Sequence, residues 1–88
     1  MRFDWDRNNL RKIAAHGLTQ EEIEQLMRGK HSAAGPEKTP SGEKRWTATA
    51  HVGDKALLIV YTKRKGHIRV VTAYPSRKVK EALEIERT

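Results

Sequence analysis

The chain contains no cysteine, which excludes both disulfide staples and thiolate chemistry. Long apolar runs are missing too: the longest, Ala56 to Tyr61, falls far short of the ~20 residues that cross a bilayer. No apolar stretch follows the early arginine of Met1-Arg2-Phe3-Asp4-Trp5-Asp6, so the amino terminus is not expected to act as a signal peptide. Internal repeats are absent. The four histidines, His16, His31, His51 and His67, are scattered without the spacing of metal ligands, so neither a metal nor any other cofactor is expected. These absences point to a soluble, cytoplasmic protein.

What the chain has is positive charge. Eighteen Lys and Arg against eleven Asp and Glu give a formal charge of +7 and a pI near 10.1, which favours a polyanionic partner such as nucleic acid, or an acidic protein. Its 88 residues make one small domain, residues 1–88. A chain of this size buries only roughly 60% of its unfolded surface.

Hydrophobic periodicity divides the chain. Phe3 and Trp5 alternate with Arg2 and Asp4 as in a short strand with one buried face. Leu10, Ile13 and Ala14 then recur at helical spacing, and His16-Gly17 closes that helix with a glycine suited to a left-handed cap. Thr19-Gln20-Glu21-Glu22 is a capping box, and Leu18 and Ile23 are placed as its hydrophobic staple. Leu26 and Met27 continue the apolar face, which Gly29 ends. Lys30 to Gly42 (KHSAAGPEKTPSG) has no apolar period and is expected to be a loop.

From Glu43 the period becomes two. Trp46, Ala48, Ala50 and Val52 alternate with Arg45, Thr47, Thr49 and His51. Ala56–Thr62, apolar on both faces, should be the central strand. A basic turn from Lys63 to Gly66 leads into a strand where Ile68, Val70 and Thr72 alternate with Arg69, Val71 and Ala73. Pro75-Ser76 then stops the sheet and starts a last helix with Val79, Ala82 and Leu83 on one face. The expected fold class is therefore α+β, in the order β-α-α-β-β-β-α: an antiparallel meander with both early helices packed on it and a C-terminal helix.

Arg69 is the strongest candidate phosphate binder, because a strand fixes its aim, and Arg45 on the neighbouring meander is similar. If the polar faces of their strands align, the two arginines can clamp one phosphate. Glu43 is either a base or a salt-bridge partner for Arg45. His16 is the candidate general acid or base, since histidine titrates near neutral pH; its structural alternative is a helix-end residue interacting with the last carbonyls. Tyr61 and Tyr74 can donate protons or stack on a base, or can be core tyrosines. Lys12, Lys63, Arg64, Lys65 and Arg77 are candidates for attraction to an RNA backbone. Trp46 is expected to be structural.

Read together and in order, several short motifs resemble the BrnT family of ribonuclease toxins, which have a RelE-like fold. Phe3-Asp4-Trp5-Asp6 is similar to that family's opening F-[DE]-W-D. Asn9, with His16-Gly17-Leu18-Thr19 and Glu22, resembles N…H-G-[VI]-[ST]-x-[ED]-E. Glu43-Lys44-Arg45-Trp46 resembles E-x-R-[WY]. Val60-Tyr61-Thr62 with Ile68-Arg69-Val70-Val71 resembles V-[VF]-[YF]-T…R-I-R-[VI]-[IV]-S-A-R. Departures are Ala15, where a lysine often precedes the His-Gly pair, and Tyr74, where the family ending has an arginine.

The resemblance implies a metal-independent endoribonuclease toxin whose catalytic residues would be drawn from His16, Arg45, Tyr61, Arg69 and Tyr74. Its substrate would be RNA, messenger RNA above all. Its neutralising partner would be a cognate antitoxin of ribbon-helix-helix type. Tyr74 supports the alternative of a non-catalytic binding module with the same fold and a degraded cleft.

Overall fold

The computed structural model describes residues 2–52 and 55–77. In chain order these form β1 (Arg2–Phe3), α1 (Arg7–Ala14), α2 (Gln20–Arg28), β2 (Ser32–Lys38), β3 (Lys44–Val52), β4 (Lys55–Arg64) and β5 (His67–Pro75). One five-stranded sheet results, in the order β1-β5-β4-β3-β2. Only β1 runs parallel to its neighbour; the other pairings are antiparallel. The apolar run of β4 lies at the centre of this sheet.

The observed order, β-α-α-β-β-β-β, corrects the expected one. Residues 32–38, expected to be loop, form the edge strand β2, with five residues registered against β3 from Ser32↔Thr49 to Lys38↔Lys44. All seven of its residues are exposed, so it has no buried face and leaves no apolar period in the sequence. Its proline sits where an edge strand tolerates one. Pro36 falls in the register shift between Ala34 and Glu37, after a cis Gly35–Pro36 bond, so no ladder hydrogen bond requires its missing N–H. Gly35 is at φ +114, and a Cβ there would stand 3.0 Å from the Arg45 carbonyl oxygen and 3.2 Å from the Trp46 Cα. Only glycine fits that approach. The helix expected beyond Ser76, with Val79, Ala82 and Leu83, lies outside the described residues.

Both helices begin at capping boxes. At α2, Thr19 Oγ1 accepts the Glu22 backbone N–H (3.2 Å) and Glu22 Oε1 accepts that of Thr19 (3.0 Å), while Leu18 and Ile23 beside the cap are buried. At α1, Asp6 Oδ1 accepts the Asn9 N–H (3.0 Å), and Asn9 Oδ1 accepts the Asp6 N–H (2.8 Å). Asparagine here fills the role more often taken by glutamate. Asn9 is 3% exposed, and its amide also donates to the Asp4 carbonyl at 3.0 Å, tying the end of β1 to α1.

Ile13, Ile23, Leu26 and Met27 of the helices pack on Ala48, Ala50, Leu57, Ile59, Tyr61 and Val70 of the sheet. Burying each large aliphatic side chain stabilises the fold by about 1.5–3 kcal/mol. Phe3 and Trp5 stack at 6.2 Å between ring centroids on the rim of this core. Trp5 Nε1 donates to Glu24 (3.1 Å), and Arg28 lies over the Phe3 ring. The opening aromatics thus fasten the amino terminus to α2.

Candidate functional site

A β-bulge decides which side chains of β5 share a face. Val60 pairs with Thr72 but Tyr61 pairs with Val70, so Val71 is an extra residue in β5. Without it, strict alternation would put Arg69 and Tyr74, five positions apart, on opposite faces. With it, Val70 and Ala73 both enter the core at 1% and 0% exposure. Thr72 and Tyr74 instead join Arg69 on the other face. The uninterrupted alternation expected for this strand had Thr72 inward and Ala73 outward; the bulge reverses both.

Arg69 pairs across the ladder with Thr62. Continuing the register of Trp46↔Tyr61 sets Arg45 opposite Thr62, so β3, β4 and β5 present Arg45, Thr62 and Arg69 as one row. These three residues line an open cleft of about 170 Å³. Asn8, Asn9 and Lys12 of α1 form one wall; Glu43 and Arg64 close the other end of the row. Thr62 is 3% exposed and spends its hydroxyl on the Lys44 carbonyl (2.8 Å). That leaves the cations to face a ligand.

Each arginine of the cleft has a carboxylate beside it. Arg69 donates from Nη2 to Asp6 Oδ2, and its Nη1 is 3.7 Å from Asp4 Oδ2. The Asn9 backbone N–H, followed by Arg69, holds the Asp6 carboxyl below the ordinary carboxylate value, and the Asp6 hydrogen bond pushes the Arg69 guanidinium up. Glu43 is shared, lying 3.6 Å from Arg45 Nε and 3.3 Å from Arg64 Nη2. At 3.6 Å the first contact is electrostatic, and the Arg45 Nε–H, itself shielded from solvent, has no hydrogen-bond acceptor among the described residues. Lys12 has no carboxylate partner among the described residues. The cleft therefore combines one unpaired ammonium, an arginine with a spare donor and two arginines already oriented by carboxylates. Such a set suits a phosphate bearing several acceptor oxygens.

His16 and Tyr74 are brought together elsewhere on this side of the sheet, with ring centroids 6.0 Å apart and a tilt of 47°. Along β5, five residues at ~3.3 Å each, less the bulge, put Tyr74 roughly 15 Å from Arg69. The face thus carries two separate clusters, the arginine cleft and the His16–Tyr74 pair, with Lys12 of the cleft placed one turn before His16.

Tyr61 does not join the cleft. It is 5% exposed on the core face, stacked on Trp46 at 6.1 Å, and burial pushes its phenol pKa up. Its neighbour Thr62 takes the place in the cleft. Lys63 lies over the Trp46 ring, with Nζ 4.7 Å from the centroid, and Lys65 occupies the two-residue hairpin turn with Gly66, both at positive φ. Arg64 lines the cleft; Arg77 is exposed after the end of β5. Among the described residues no group of three His, Asp or Glu side chains could hold a metal ion.

Asp4 and Asp6 are the participants that residue-by-residue inspection of the sequence passed over. Their signal was the alternation itself: Phe3 and Trp5 face the core, so the acids between and after them face the other way.

The family model for the ribonuclease toxin BrnT of type II toxin–antitoxin systems matches residues 5–80. The chain belongs to the BrnT family. A BrnT-family chain is a ribonuclease toxin, which makes RNA its substrate and a cognate antitoxin its partner. The match takes in the cleft, from Asp6 and α1 through Arg69, together with His16 and Tyr74; Asp4 precedes it. Comparison with curated proteins gave no match. No helix among the described residues is long and apolar enough to cross a membrane.

Proposed function

We propose that this BrnT-family chain is a metal-independent endoribonuclease that lays the RNA backbone across the arginine cleft and towards the His16–Tyr74 pair. The observation that carries this is the convergence of Arg45, Arg69 and Lys12, from β3, β5 and α1, on one open cleft. The 2′-hydroxyl attacks the adjacent phosphorus, the 5′-oxygen leaves, and the products carry a 2′,3′-cyclic phosphate and a 5′-hydroxyl. Charge on the phosphorane is met by Arg69 and Arg45, held on a rigid sheet before the substrate arrives. His16 transfers the proton, with Tyr74 packed against its ring. The carboxylates near the cleft are engaged by arginines, which favours charge stabilisation by guanidinium over a bound cation.

The antitoxin in this reading is a small ribbon-helix-helix protein whose additional segment covers the same cleft, its acidic side chains replacing RNA phosphates on Arg45, Arg69 and Lys12. The decisive experiment expresses the chain with and without the neighbouring antitoxin gene, scoring growth and bulk RNA integrity. Growth arrest with RNA fragmentation, relieved by the antitoxin, is the expected result. An intact RNA pool and normal growth would favour the non-catalytic binding module, for which Tyr74 in place of the family's arginine is the supporting feature.

A further inference from the structure

Asp6 makes two different contacts with its two carboxylate oxygens. Oδ1 caps α1 through the Asn9 N–H, and Oδ2 receives Arg69 Nη2. The carboxylate is thereby locked to the first turn of a helix whose other anchors are Asn9, buried and bonded to the Asp4 carbonyl, and Ile13, at 1% exposure in the core. Arg69 itself is only 21% exposed and has Asp4 as a second, longer contact on Nη1. Fixing an arginine costs side-chain rotamer entropy. Here that ordering is present before any ligand binds.

We propose that Asp6 is a positioning residue: it ties the aim of Arg69 to the start of α1, so that the guanidinium's remaining N–H donors face the cleft beside Arg45 and Lys12. The inference rests on the ribonuclease reading for its kinetic consequence but not for its structural one. A rival role for the same contact is competition, with the carboxylate occupying Arg69 in place of phosphate. The two roles differ in sign: a competitor's removal tightens RNA binding and spares the rate, whereas a positioner's removal lowers the rate at saturation.

Asp6→Asn separates the functions of the residue, because asparagine caps a helix as well as aspartate does but carries no charge for Arg69. Asp4→Asn, which leaves the cap untouched, is the companion variant, and melting temperature reports folding in both. Two measurements are made on the full chain. One follows the Arg69 side-chain Nε–H by 15N NMR relaxation; the other determines kcat, and binding of an RNA oligonucleotide carrying 2′-deoxy substitutions that block cleavage. The expected result for Asp6→Asn is a mobile Arg69 Nε–H, a kcat lower by about ten- to a hundred-fold and binding no weaker than the parent's; Asp4→Asn shows the same changes on a smaller scale. Tighter binding with an unchanged kcat, or an Arg69 signal as ordered as in the parent, overturns the proposal. If the parent cleaves no RNA, the ribonuclease reading fails, while the NMR comparison still decides whether Asp6 orders Arg69. Should Asp6→Asn not fold, Asp6→Ser, which also caps a helix but offers Arg69 no carboxylate, takes its place: an Arg69 signal as ordered as the parent's refutes the proposal.

Discussion

Replacing Lys12 with alanine removes the one cation of the cleft that no carboxylate among the described residues offsets. Glu43 lies between Arg45 and Arg64, and Asp6 is bonded to Arg69, so each of those charges is partly neutralised before RNA arrives. Four cations line the cleft: Lys12, Arg45, Arg64 and Arg69. If each meets one phosphate, log K should fall against log salt with a slope of about −2.8, taking ~0.7 per contact on a single strand. Lys12→Ala should bring that slope to about −2.1. Between about 50 and 200 mM salt, affinity would then fall roughly twenty-fold instead of fifty-fold. Arg64→Ala should change the slope by less than Lys12→Ala, because the Glu43 carboxylate it leaves behind can pair more fully with Arg45. Lys12 is exposed on α1 and alanine favours helix, so Lys12→Ala should leave folding unaffected. Fluorescence anisotropy with a cleavage-blocked RNA oligonucleotide reads the slope directly. A slope for Lys12→Ala equal to the parent's, or a lower cleavage rate at saturating RNA, would refute the assignment of Lys12 to backbone attraction alone.

The buried position of Tyr61 and the position of Tyr74 against His16 give opposite expectations. Tyr61→Phe should leave cleavage unchanged, whereas Tyr74→Phe and His16→Ala should slow it; single-turnover rates of the three variants check this. Acid stability follows from Asp6 and Glu24, whose carboxyls are held below their ordinary values of 3.8 and 4.5, Asp6 by the Asn9 N–H and then Arg69, Glu24 by the Gln20 amide and then by Trp5 and Arg28. Because the unfolded chain binds these protons first as pH drops, the melting temperature should be level above about pH 5 and fall below it. Asp6→Asn combined with Glu24→Gln should flatten that fall, as thermal scans across the acid range would show; an unchanged acid profile in the double variant would count against both assignments.

How far the sequence could be read depended on whether a residue's role was local. The Thr19–Glu22 capping box and its Leu18–Ile23 staple were legible because each needs only a few consecutive residues, and both are present. The apolar content of Ala56–Thr62 announced a central strand for the same reason. Strand β2 was not legible: its seven residues are exposed, so it leaves no periodic trace, and proline and glycine read as loop unless the bulge that accommodates them is known. Arg45 and Arg69 were recognisable as strand arginines, but that they face one cleft depends on the register of three strands. Tyr74 illustrates the harder case. Its side of the sheet is reversed by the single extra residue Val71, which no pattern of polar and apolar side chains reveals. Asp6 was hidden in a different way, since its partner Arg69 is 63 positions away and only the folded sheet brings β5 beside the start of α1.

The central claim is that this BrnT-family cleft cleaves RNA through fixed arginine charge and histidine proton transfer without a metal. Its most direct measurement is the single-turnover rate of purified parent, Arg69→Ala and His16→Ala on RNA in excess chelator, with the product ends identified. The predicted result is chelator-insensitive cleavage by the parent to 2′,3′-cyclic phosphate ends, with Arg69→Ala slower by about 10²–10³-fold, as for loss of one preorganised charged donor. Activity abolished by the chelator, or both folded variants cleaving at the parent's rate, would contradict it.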